Sequence, residues 1–389
     1  MIAYNKTWLA NLRLRDKLKK DLRHGNISDA EFKLIAEKYP VGFYSPPPFV
    51  RVGLFILTCV IVFFADGLLS LMAASSNIVE KASWFFFLGA LSYTALELMV
   101  NAKFHYRSGV DDALLFISMC LFIAGFAIMV SDLNIGLNYF PLSGSVLLLS
   151  FFLTLRFADM LTTAVCCISF FAFIFFGCEK IGAVGLTIIP FIMMPASAGI
   201  YWLSHTNSSS PKSINYENCL IIAQIVALLT LYAAGNYYIV QTLSDDLNGQ
   251  HKPIAFGAFF WVWTIALPFV YIWFGLKKKD VILLRTGLIL TAAAVATFRA
   301  YYQLFPIDVM LTLAGAVLLG IAYLVMKYLK TPKQGFTYAE PDEADPMDRV
   351  KIESLVIAQT FSHAPTPPAD EGTKFGGGDF GGGGSSGNF

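Results

Sequence analysis

The chain has 389 residues, of which 56% are apolar and only 14% charged. A soluble globule carries roughly 25% charged residues, so this chain has too little polar surface to cover itself in water. A net charge of +1 also excludes the concentrated basic footprint of a nucleic-acid binder.

The first 45 residues predict a helical hairpin. Leu14, Leu18 and Leu22 recur at four-residue spacing in a helix near Thr7 to Arg23, with Gly25 placed for a C-terminal cap. A second helix starts at "ISDAEF", where Ser28 and Glu31 form a capping box and Ile27 and Phe32 hold the staple positions. Pro40 and the run Pro46-Pro47-Pro48 then make a stiff elbow into the apolar region. This head carries nine Lys and Arg before Arg51. It either lies against anionic lipid or is a solvated helix pair that obeys the bias of basic residues toward the cytoplasm. The first apolar run begins near Phe49, too late for a secretory signal.

A bilayer core about 30 Å thick takes roughly 20 apolar residues as helix. Ten stretches qualify, near 49–73, 82–100, 112–130, 137–155, 160–178, 181–203, 218–240, 254–276, 281–302 and 307–329. The fourth and fifth are separated only by Arg156 and Asp159. The expected fold class is therefore an all-α integral membrane protein: a head (1–45), a ten-helix membrane domain (49–330) and a tail (331–389). With the N-terminus in the cytoplasm, Lys103, Arg107, Arg156, Lys212 and Lys277-Lys278-Lys279 fall on the inner side. Only Lys81, Lys180 and Lys252 fall outside. The expected location is a bacterial inner membrane with both termini cytoplasmic.

Charges inside a span cost roughly 2.5–3.5 kcal/mol on insertion scales and need partners. Asp66 and Arg299 lie toward the outer ends of their spans, and Glu97 and Arg285 toward the inner ends. Depth therefore predicts the pairs Asp66–Arg299 and Glu97–Arg285, tying the opening spans to the closing ones. In the sixth span Pro190, Pro195 and Gly199 mark a helix break or kink. In the ninth, Ala292, Ala296 and Ala300 form a small-residue stripe that predicts burial in the bundle.

Chemistry is scarce. His24, His105, His205, His251 and His363 are scattered without acidic companions, so no metal site is expected. The six cysteines follow no ligand spacing and behave as small hydrophobes. "PLSGS" at Pro141–Ser145 has no later intramembrane histidine to activate a serine. "SDDLNGQH" at Ser244–His251 is turn-forming composition in an outer loop. No catalytic residue and no cofactor is expected.

Beyond Lys333 the chain turns acidic and ends in "FGGGDFGGGGSSGNF". Glycine loses the most entropy on ordering, so this tail is expected to be disordered when free. Phe375, Phe380 and Phe389 would be separated anchors for a cytoplasmic protein partner. The basic head and acidic tail also attract each other by charge, in a contact that salt weakens.

"LRHGNISDAEFKLIAEKY", the proline elbow after it, and the closing spans "LLRTGLILTAAAVATFRAYYQLFP" and "LTLAGAVLLGIAYLVMKYLK" together resemble a bacterial membrane family called domain of unknown function 2157. The resemblance covers about the first 70 and the last 60 membrane-related residues and implies an integral membrane protein without an assigned activity. The leading expectation is a non-enzymatic scaffold or sensor in the lipid bilayer with partner-binding cytoplasmic ends. The alternative is a small-solute or ion transporter with a polar site near Asp66 and Arg299.

Overall fold

The structure is a computed structural model. It describes residues 2–23, 26–132, 139–208, 210, 213–248, 254, 256–301 and scattered positions from 309 to 327. Every element below belongs to the first of two units, Met1–Pro306. Of the predicted tenth span only those scattered positions are described, and the acidic segment and the Phe-Gly tail lie outside the described residues.

Two head helices come first, α1 (Lys6–Arg23) and α2 (Asp29–Lys38). The capping box forms as predicted: the Glu31 amide donates to Ser28 Oγ at 3.3 Å, and the Ser28 amide donates to Glu31 Oε2 at 2.9 Å. Those donors from Ser28 hold the Glu31 carboxyl below its usual range. Asn11 Nδ2 donates to the Pro40 carbonyl at 2.8 Å and ties the two head helices together.

Nine helices among the described residues are long and apolar enough to cross a membrane. They are α3 (Pro48–Ala73), α4 (Ala82–Ala102), α5 (Val110–Asp132), α6 (Tyr139–Phe157), α7 (Met160–Glu179), α8 (Ala183–Ser208), α9 (Glu217–Gly235), α11 (Gly257–Lys278) and α12 (Val281–Tyr301). Each satisfies its own backbone hydrogen bonds, as lipid requires. The chain packs as a series of hairpins, α4 with α5, α6 with α7, α8 with α9 and α11 with α12. α3 rests mainly on α5, and its outward face, from Phe49 through Phe63 and Phe64 to Met72, is exposed.

Local chemistry sets the turns. α6 and α7 are separated by two residues: Ala158 takes a left-handed backbone (φ +49°), and Asp159 caps α7 by accepting from the Thr162 amide at 3.0 Å. α11 ends at Lys279 (φ +56°), where the Asp280 amide reaches back to the Gly275 carbonyl at 2.9 Å. Asp280 Oδ1 then accepts from the Ile282 amide at 2.9 Å and opens α12.

Three expectations change. The seventh span stops at Gly235, and the chain continues as a separate helix, α10 (Tyr237–Asn248). "SDDLNGQH" therefore opens as helix, not turn; Gln241 Nε2 donates to Asp245 Oδ1 one turn on, at 2.8 Å. α8 is continuous through Pro190 and Pro195, with Pro190 buried and Pro195 exposed, so of the two readings of Pro190, Pro195 and Gly199 the helix break is absent and the prolines lie inside one helix. In α12 the residues Ala292, Ala296 and Ala300 face outward, whereas Leu283, Thr286, Gly287, Leu290 and Thr297 are the buried side. The close approach is made by glycine instead: a Cβ on Gly287 would lie 2.9 Å from Ile272 Cγ1 on α11, and one on Gly275 would lie 2.7 Å from the Leu284 nitrogen.

Candidate functional site at the head side of the bundle

The head-side ends of α4, α5 and α6 form one core with the start of the chain. Tyr4 and Leu9 are buried with Leu96, Val100, Leu114, Leu115, Met119, Leu153 and Phe157. Tyr4 meets Tyr106 edge to face at 4.9 Å, and Trp8 meets Phe104 at 5.1 Å. Burial pushes the Tyr4 phenol well above its usual range, and the nearby Asp111 and Asp112 push the same way.

A helix leaves its last carbonyls without partners, and the end of α6 shows where they go. The Arg156 carbonyl accepts from the Ala3 amide at 2.8 Å. The Leu155 carbonyl accepts from the Tyr216 hydroxyl at 2.7 Å, in the turn before α9. The Arg156 side chain turns toward α4, where Nε and Nη2 each lie 2.9 Å from the Glu97 carboxylate oxygens. Tyr93 and Asn101 donate to the same carboxylate at 2.7 and 2.8 Å. One residue thus joins α6, α4 and the N-terminal segment.

The α4–α5 loop is the second half of the site. Phe104 (φ +56°) and Arg107 (φ +48°) hold left-handed backbones, and Gly109 sits at φ +93°. For the non-glycine residues Phe104 and Arg107 such conformations cost of order 1–3 kcal/mol each and persist where surroundings enforce them. Here the enforcement is visible. The chain after the head is stitched to the loop: the Tyr44 amide donates to the Phe104 carbonyl at 3.0 Å, and the Tyr106 amide donates to the Tyr44 carbonyl at 3.3 Å. Asp111, only 2% exposed, accepts from the Arg107 and Ser108 amides and from Ser108 Oγ, each at 2.8 Å. Arg51 at the start of α3 pairs with Asp112 at 2.8 Å. A Cβ on Gly109 would fall 2.1 Å from the Arg51 carbonyl oxygen, so no other residue fits there.

His105 Nδ1 lies 2.7 Å from Ser108 Oγ. The Ser108 hydroxyl is already donated to Asp111, which assigns the Nδ1 proton to the imidazole. Burial lowers the His105 pKa, while the Asp111 carboxylate opposes that shift.

A cleft of about 10 Å³ lies among Tyr4, Tyr106, Arg107, Asp111, Asp112 and Asp159, room for about one water. Its carboxylates are already engaged in the turns just described. Among the described residues no group of three His, Cys, Asp or Glu has the arrangement of a metal site.

The predicted charge pairs do not form. Glu97 is met by Arg156, not by Arg285. Asp66 lies half-buried on α3, which packs against α5. Arg299 occupies the last turn of α12, a helix that packs on α9 and α11. No ion pair joins Asp66 to Arg299. Lateral neighbours are set by hairpin packing, which position along a span does not encode. Arg156, Asp111, Asp112 and Tyr4 were missed as a cluster. The available signal was that Glu97 and Arg156 share the same level. Ser145, in the "PLSGS" stretch, donates to the Pro141 carbonyl of its own helix at 2.9 Å. Phe375, Phe380 and Phe389 lie outside the described residues.

No protein-family model matches the chain, and no similar curated protein or solved structure was found.

Proposed function

We propose that the protein is a non-enzymatic membrane scaffold or sensor whose head passes the state of its partner into the bundle. One observation carries this reading. The N-terminal segment is bonded through main chain and side chain to α6 and to the α4–α5 loop, and through Arg13 Nη2 to Asn215 Oδ1 before α9 at 2.8 Å. A displacement of the head therefore bears on several spans at once. Three hydroxyls within the spans support the same reading, because each donates to a carbonyl of its own helix. Ser150 donates to the Val146 carbonyl at 2.6 Å, Ser118 to Leu115 at 3.0 Å and Thr264 to Phe260 at 2.7 Å.

The basic residues of the head-side connections favour a cytoplasmic head in a bacterial inner membrane. A tenth span at 307–329 would return the chain to the cytoplasmic side, where Phe375, Phe380 and Phe389 would serve as anchors for a cytoplasmic protein partner. The resemblance to domain of unknown function 2157 rests on the opening hairpin and the closing spans, and supplies no activity.

The transporter reading keeps one observation of its own: Asp66 has no hydrogen-bond or ion-pair partner among the described residues. Single cysteines at Ser118, Ser150 and Thr264, in a background without the six native cysteines, separate the two. A scaffold leaves all three inert to a membrane-impermeant thiol reagent; labelling from either side would overturn it in favour of a solute path.

A further inference from the structure

α1 is fastened at two points on one level. Its start is seated beside Phe157 at the end of α6, and Arg13 is held by Asn215 just before α9. Both anchors lie at head-side ends of spans. The first two turns of the helix are therefore held beside the head-side ends of the spans. Seven residues of helix separate Lys6 from Arg13, about 10 Å. Past Arg13 the helix continues for about 15 Å more, and this distal half has the composition of an interfacial helix. Leu14, Leu18 and Leu22 share one side, and six basic residues from Arg13 to Arg23 stand against Asp16 and Asp21. Lys17, Lys19 and Arg23 are exposed. Long basic side chains at headgroup level reach phosphates while their stems cover apolar surface.

We infer that the distal half of α1 is a docking surface for anionic phospholipid headgroups of the adjacent leaflet. Charge complementarity and the fastening of α1 at the head-side ends of the spans carry the assignment. The full-length protein would be titrated in mixed micelles holding equal phosphatidylglycerol and phosphatidylcholine, with bound lipid counted by native mass spectrometry. The wild type should prefer phosphatidylglycerol by at least about tenfold, since each basic residue near a membrane surface is worth about fivefold. The triple variant Lys17→Glu, Lys19→Glu, Arg23→Glu should bring the ratio close to one, and Lys17→Arg with Lys19→Arg should preserve it. Should the triple variant not fold, Lys17→Gln with Lys19→Gln serves the same purpose and should lower the ratio severalfold. Raised salt should reduce the preference. Equal binding of both lipids by the wild type overturns the inference, as does a preference that survives charge removal. So does loss of the preference to millimolar inorganic phosphate that itself binds the lipid-free protein, because the site would then take a soluble anion.

Discussion

The two ends of the bundle are built from different chemistry. At the head side, charged groups and backbone stitches join α3 to α5, α4 to α6, and the N-terminal segment to both. At the far side, the links described between α9, α10, α11 and α12 are made by neutral groups. Asn236 Nδ2 donates to the Tyr232 hydroxyl at 2.9 Å and to Thr297 Oγ1 at 3.0 Å, linking α9 to α12. The Tyr237 amide donates to Thr264 Oγ1 at 2.9 Å, and the Tyr237 ring stacks on Trp261 at 4.8 Å. Tyr237, Trp261 and Tyr301 form the kind of aromatic belt that settles at a membrane interface. The contrast teaches where mobility is constrained. Ionic contacts near water respond to pH, salt and partners, whereas neutral bonds under an aromatic belt respond to little.

The comparison breaks most severely at Gly109. Gly109→Ala puts a methyl group into the Arg51 carbonyl and forces a left-handed backbone on alanine. Folded protein in detergent should lose about 4 kcal/mol, visible as a large drop in thermal midpoint. Arg156→Ala comes next, at about 2 kcal/mol, because a shared, partly exposed charge pair is lost and Glu97 is left without its cation. Arg156→Lys should recover only part of this, since an ammonium cannot reproduce the two-point contact. If the alanine variant melts like the wild type, the pair is ornamental.

These strong positions show how much the sequence disclosed. Helical hairpin, elbow and apolar helices were legible because capping and hydropathy act over short stretches: Ser28 and Glu31 cap as expected, and among the described residues nine helices long and apolar enough to cross a membrane lie near the predicted ranges. The cluster around Arg156 was not legible, because Ala3, Glu97 and Tyr216 meet it only after the hairpins pack. Asn236 also went unread. Sitting inside the predicted seventh span, it ends α9 and hydrogen-bonds sideways, a role that periodicity does not signal. Likewise, four-residue alanine spacing pointed to the wrong face of α12, where single glycines make the close approaches.

On the far side, Asn236→Ala should cost only about 0.6 kcal/mol, the average for such bonds within membranes, and its effect should not change with salt. A salt-dependent loss would erase the distinction between the two ends. The smallest effect is pH dependence at His105. Its pKa is lower in the docked loop than the free value of 6.5, so the undocked loop binds a proton more readily. Docking strength is therefore complete above about pH 6.5 and declines as pH falls through that value. His105→Asn should flatten the decline, measured by protease accessibility of the 40–47 segment.

Hydrogen exchange in the membrane-embedded protein tests the joined head most directly. Peptides covering residues 2–9 and 42–47 should exchange as slowly as the ends of α4 and α6, because the Ala3 and Tyr44 amides are bonded to Arg156 and Phe104. Exchange of those two segments at free-peptide rates, with the spans still protected, would show a head that hangs loose and would contradict the coupling.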